Sequence, residues 1–69
     1  MQRLKNLRME QNLSQQELAK RAGLGQSTIH YIETGYKSPT LKVLRKLAAA
    51  LGVTVSELIG EETNTTRAS

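Results

Sequence analysis

Sixty-nine residues make one small domain of net charge +4 with no cysteine, and a chain this short buries only about 60% of its unfolded surface. Without cysteine neither a disulfide framework nor a thiolate metal site can hold the fold. No apolar run approaches the roughly 18 residues of a membrane span. Residues 1–60 carry nine Lys/Arg against four Glu and no Asp, so the domain is expected to meet an anionic partner, and the lack of cysteine fits a reducing cytoplasm.

The apolar periodicity is helical throughout, built on Leu, Ile, Val and Ala without Phe or Trp. A first helix is predicted over about residues 2–12, with Leu4, Leu7, Arg8 and Gln11 on one face. Ser14-Gln15-Gln16-Glu17 reads as a capping box that opens a second helix, with Leu18, Ala19 and Ala22 inward and Gly23 as its stop. A third helix follows over about 26–34, between Gly25 as N-cap and Gly35 as terminator. Pro39 and Thr40 are expected to begin a fourth, with Leu41, Leu44, Leu47, Ala48 and Leu51 on one stripe and Gly52 after it. Thr54-Val55-Ser56-Glu57 is a second capping box, opening a short fifth helix that ends at Gly60. Residues 61–69 are polar, without an aliphatic anchor, and are expected to be a disordered tail. No strand pattern and no internal repeat is present. The expected fold is all-α, a compact five-helix domain over 1–60, and the short turn Gly23-Leu24-Gly25 sets helices two and three in a helix-turn-helix arrangement.

The third helix carries no Lys or Arg although the chain is basic, and one side of it is polar. At about 100° per residue, Ile29, Ile32 and Glu33 cluster on one side, and Ser27, His30, Tyr31 and Thr34 lie opposite. Gln26 and Thr28 flank the outer face in the first turn. Its length of ~12 Å matches the ~12 Å width of the DNA major groove. Gln can bond adenine edges, Ser and Thr suit either kind of edge, and the Thr methyl can meet that of thymine. Lysines here would hold phosphates without reading sequence. Arg8 and Glu33 each fall on an otherwise apolar stripe, where a charge needs a partner. They are expected to pair between helices one and three. Ser27, His30 and Glu33 list a nucleophile, a base and an orienter, but Glu33 belongs on the inner side and no oxyanion nest accompanies it. No catalysis is expected, and a lone His without Cys or Asp makes no metal site.

The run LSQQELAKRAGLGQSTIHYIETG, with NLR before it and SPTLKVLRKLAAALGVTVSELI after it, resembles the Cro/repressor-type helix-turn-helix family, also called XRE. The likeness covers residues 3–60. It rests on Ser14-Gln15, Ala19, Gly23, Ile29, Ile32-Glu33, Gly35, Pro39 and Leu51-Gly52-Val53 in order. The resemblance implies a lambda-repressor-like five-helix fold whose third helix enters the major groove. It implies that Gln26, Ser27 and Tyr31 face base edges, and Thr28 and His30, on the outer face of the same helix, are expected to read bases with them. It also places Gln15 at a phosphate beside Ser14, and runs Thr34, Tyr36, Lys37 and Ser38 along the DNA backbone. Arg8 and Glu33 match a paired position. Ser27 and Tyr31 differ from the phage repressors, so no operator sequence carries over.

By the same resemblance the chain is expected to be a bacterial or phage-encoded cytoplasmic regulator of transcription, a repressor without a cofactor, that binds a palindromic double-stranded operator. A weak homodimer strengthened on DNA is expected, with Val53, Val55, Leu58 and Ile59 as its apolar edge. The rival reading is a protein-interaction module of the same fold, such as an antitoxin-like subunit.

Overall fold

The computed structural model describes residues 1–60 as five helices: α1 (Gln2–Glu10), α2 (Gln15–Ala22), α3 (Gln26–Thr34), α4 (Leu41–Leu51) and α5 (Val55–Ile59). The expected tail, residues 61–69, lies outside the described residues. Helix α2 packs on α3 and α4, α1 packs on α3 and α5, and α4 meets α5. Leu4, Leu18, Ile29, Leu47 and Leu58 are wholly buried, one from each helix, so a single aliphatic centre ties all five together. Leu7, Leu13, Ala19, Ala22, Ile32, Ala48 and Leu51 complete the core.

Local chemistry sets the helix boundaries. The Ser14 hydroxyl accepts from Glu17 N at 3.0 Å while Ser14 N donates to Glu17 Oε1 at 2.8 Å. Thr54 and Glu57 repeat the reciprocal pair at α5. Helix α1 stops at Glu10, two residues short of the expected end, because Asn12 adopts φ 58°. There Asn12 N donates to Met9 O at 3.0 Å and Leu13 N to Arg8 O at 3.1 Å, a Schellman closure with Asn in the place usually held by Gly. The same pair of bonds ends α2 at Gly23 and α4 at Gly52. Helix α3 departs from it: past Gly35, the bond to Tyr31 O comes from Lys37 N at 3.2 Å, one residue late. Tyr36 is thereby thrown outward and is 75% exposed.

Two expectations about α4 are corrected. Pro39 lies outside the helix, because the Thr40 hydroxyl takes Val43 N at 3.2 Å and so makes Thr40 the N-cap. Leu41 is 55% exposed rather than on the buried stripe, since periodicity marks a helix face but not where the neighbouring helices end. The expected apolar edge changes as well. Leu58 is 0% exposed and belongs to the core, because a five-residue helix has one fully inward position and α1 and α4 close over it. Val53, Val55 and Ile59 remain half-buried.

Candidate nucleic-acid interface

Helix α3 leaves one polar side open. Ile29 and Ile32 are buried against the other helices, whereas Gln26, Ser27, His30, Tyr31 and Thr34 are exposed and Thr28 is half-buried. The turn of Gly23, Leu24 and Gly25 fixes how α3 leaves α2. Gly23 supplies φ 70° there, a conformation that costs an L side chain roughly 1–2 kcal/mol.

The inner side of α3 is anchored by charge. Arg8 Nε donates to Glu33 Oε2 at 2.6 Å and Arg8 Nη2 to Glu33 Oε1 at 3.1 Å, a bidentate pair. Arg8 Nη1 also donates to Leu13 O at 2.8 Å, and Gln15 Nε2 to Glu33 Oε1 at 3.0 Å. The Arg8 and Glu33 side chains are only 12% and 3% exposed. Burial alone pushes the Glu33 carboxyl up. The hydrogen bonds from Arg8 and Gln15, with the charges of Arg8 and Lys5, outweigh it and hold the group below the usual carboxylate range. One carboxylate on α3 thus gathers α1, the start of α2 and the loop between them, and fixes the rotation of α3 about its own axis.

The residues expected at a DNA surface fall into two groups on either flank of α3. On one flank, Tyr31 and Tyr36 lie with ring centroids 5.1 Å apart, and Lys37 Nζ sits 5.4 Å from the Tyr31 ring centre. Ser38 is exposed beside them, and an open cavity of about 190 Å³ runs from Thr28 past Lys37 and Ser38 to Thr40 and Val43. On the other flank, His30 Nδ1 lies 3.4 Å from Gln15 Nε2. A larger polar cavity of about 450 Å³ there is lined by Gln2, Lys5, Arg8, Gln15, His30, Glu33 and Thr34. The Thr34 hydroxyl is turned back to donate to Tyr31 O at 3.2 Å. Ser14 lies exposed at the start of α2, its hydroxyl and N–H both engaged by Glu17.

Several of these arrangements are absent from any sequence pattern. The Gln15–Glu33 and Gln15–His30 contacts span 18 and 15 residues. Gln11 Nε2 closes on Leu51 O at 2.6 Å across 40 residues. The Tyr31–Tyr36–Lys37 cluster had one legible sign, aromatics five residues apart around a helix-stopping glycine.

Residues 4–58 match the family model for the helix-turn-helix, which is nearly all of the described chain. The chain belongs to the Cro/repressor-type helix-turn-helix family. This helix-turn-helix chain is 44% identical over 62 residues to the immunity repressor protein of Bacillus phage phi105, covering 90% of this chain and 43% of that one. It therefore spans less than half the length of that relative. Among solved structures, it is similar to the restriction-modification controller protein C.AhdI from Aeromonas hydrophila, with TM-score 0.81, 40% identity, and 83% and 86% of the two chains covered. It is also similar to SinR of Bacillus subtilis, the master regulator for biofilm formation, in a structure solved in complex with DNA. That likeness has TM-score 0.80 and 37% identity over 84% of this chain and 94% of that one. No helix among the described residues is long and apolar enough to cross a membrane, and they hold no cluster of metal-ligating side chains.

Proposed function

We propose that this helix-turn-helix domain binds double-stranded DNA and regulates transcription as a repressor, with α3 lying in the major groove. The reading is carried by one observation: the exposed side of α3 is a row of uncharged donors and acceptors, and the Arg8–Glu33–Gln15 network holds that row at a set angle. The fold it shares with SinR, solved with DNA, supports the same reading. Gln26, Ser27, Thr28 and Tyr31 read base edges. Tyr36, Lys37 and Ser38 follow the backbone on one side. The Gln15 and Gln16 N–H groups opening α2, and those of Gln26 and Ser27 opening α3, have no internal partner among the described residues. They are placed to receive phosphates, as helix starts favour anions.

The operator is a palindrome bound by two copies, with half-sites one turn, about 34–36 Å, apart. The apolar edge for that dimer is Val53, Val55 and Ile59, and so small an edge makes a weak dimer that DNA strengthens. The protein works without a cofactor, in the cytoplasm. Selection of bound duplexes from a random library tests the whole scheme, with enrichment of one palindrome as the expected outcome. On the selected duplex, Ser27→Ala and Tyr31→Ala should each cost about 1–3 kcal/mol and change the preferred base. Retention of the wild-type site preference by both variants would remove α3 from the reading role.

A further inference from the structure

The polar cavity between α1, α2 and α3 points to a function for His30 and Lys5 that the outer face of α3 alone does not reveal. The Gln15 amide nitrogen has two hydrogens. One is directed to Glu33 Oε1 at 3.0 Å and the other to His30 Nδ1 at 3.4 Å. The Glu33 carboxylate is nearly inaccessible and tied to Arg8, so pulling Gln15 away would leave a buried acceptor short of a donor. The side chain expected to meet a phosphate is thus already engaged inward through its donors. An imidazole whose Nδ1 accepts must carry its proton on Nε2, and that N–H is the free donor of His30. Lys5 makes no ion pair among the described residues, whereas the Arg8 charge on the same cavity wall is met by Glu33. Gln2 and Thr34, also on the wall, direct their donors to Asn6 Oδ1 and Tyr31 O.

A helix lying in the major groove has a phosphate strand on each flank. The Tyr36–Lys37–Ser38 loop occupies one flank of α3. The cavity occupies the other, and His30 and Thr34 belong both to its wall and to the exposed side of α3. We propose that this cavity seats a DNA backbone phosphate between Lys5 and the Nε2–H of His30, with Gln15 as the positioning residue that sets the imidazole. His30 then fixes register rather than reading a base, and α1 joins the DNA surface through Lys5. The proposal rests on the DNA-binding reading above.

Binding of two labelled duplexes, the selected site and a scrambled one of equal length, tests it by titration over a range of salt at about pH 8. Lys5→Ala should weaken both duplexes alike and lower the salt slope by about 0.9, the contribution of one phosphate. His30→Ala should weaken both alike, on the order of three- to ten-fold, with the slope unchanged because no charge is lost. Gln15→Ala should add little in the His30→Ala background. Lys5 and His30 lie outside the core and an unchanged melting curve certifies those two folds, whereas Gln15→Ala, which takes a donor from Glu33, is measured well below its own melting temperature.

A wild-type slope in Lys5→Ala overturns the seat. A His30→Ala variant that alters the ratio between the two duplexes makes His30 a base reader instead. A full, additive Gln15→Ala loss removes Gln15 as the positioner. If the wild-type protein retards neither duplex, the DNA-binding reading fails and takes this one with it. If it binds normally while the variants match it, only the phosphate seat fails.

Discussion

Glu33 shows how one side chain can set the orientation of a helix. Its carboxylate accepts from Arg8 twice and from Gln15 once, so all its strong partners come from other elements. Glu33→Ala strands the Arg8 guanidinium in a half-buried place and should cost on the order of 3 kcal/mol in urea unfolding. Replacing Arg8 and Glu33 together by apolar residues should cost much less than the sum of the single losses. Additive losses in that cycle would mean the two charges do not depend on one another. The pH response has a definite sign. A carboxyl held below its ordinary value of 4.5 binds its proton more tightly in the unfolded chain. Its contribution is therefore present in full above that value and is lost as pH falls through the lower folded value. Glu33→Gln should flatten the decline in stability over that acid range, seen as a smaller drop in melting temperature than the wild type shows.

Three of the five helices, α1, α2 and α4, are ended by a common device, and this has consequences for design at the element scale. Asn12, Gly23 and Gly52 all take positive φ and all close with the same two backbone bonds. An added Cβ at Gly23 meets nothing within 4 Å, so the cost of Gly23→Ala is conformational alone, about 1–2 kcal/mol. Gly23→Asn should recover part of it, because a short amide tolerates the left-handed region. Asn12→Gly should leave stability unchanged or raise it by up to about 1 kcal/mol. Chemical denaturation midpoints would show these differences, and a Gly23→Asn variant no better than Gly23→Ala would argue for a steric cause. At the other end of α2, Ser14→Ala removes one half of a capping box and should cost about 1 kcal/mol.

The whole molecule rests on a core of aliphatic side chains with no aromatic ring in it. A domain of this size has a total stability of only about 3–9 kcal/mol. Leu18→Ala, at a wholly buried contact between α2 and the rest, should remove about 2–5 kcal/mol and leave a large unfolded fraction at 37 °C. A cooperative melt at wild-type temperature would show that the core repacks. The dimer edge is tested at the same scale. Ile59→Lys should weaken binding to the palindrome while sparing an isolated half-site. Insertion of about 5 bp between half-sites turns them to opposite faces of the duplex and should abolish the tight complex. Equal binding to both spacings would exclude a rigid pair.

Helix number, order and family were legible in the sequence because each signal is local. A capping box spans four residues, a left-handed stop one, and an apolar stripe repeats within a single helix. The pairing of Arg8 with Glu33 was legible for a related reason: each charge interrupts an apolar stripe, and a buried charge needs an opposite one. The Asn12 stop is not legible in the sequence, since Asn is neutral in pattern until its φ is known, and the apolar periodicity runs two residues past the end of α1 at Glu10. Only the tertiary structure decided that Leu58 lies inside while Val53, Val55 and Ile59 lie at the edge, and that Leu41 is exposed. Both depend on where neighbouring helices end, and periodicity carries no information about that. The same holds for Gln15, which turns to Glu33 and His30 across 18 and 15 residues. Its sequence position marks it as the first residue of a helix, but the direction of its amide is set by acceptors that folding brings within reach.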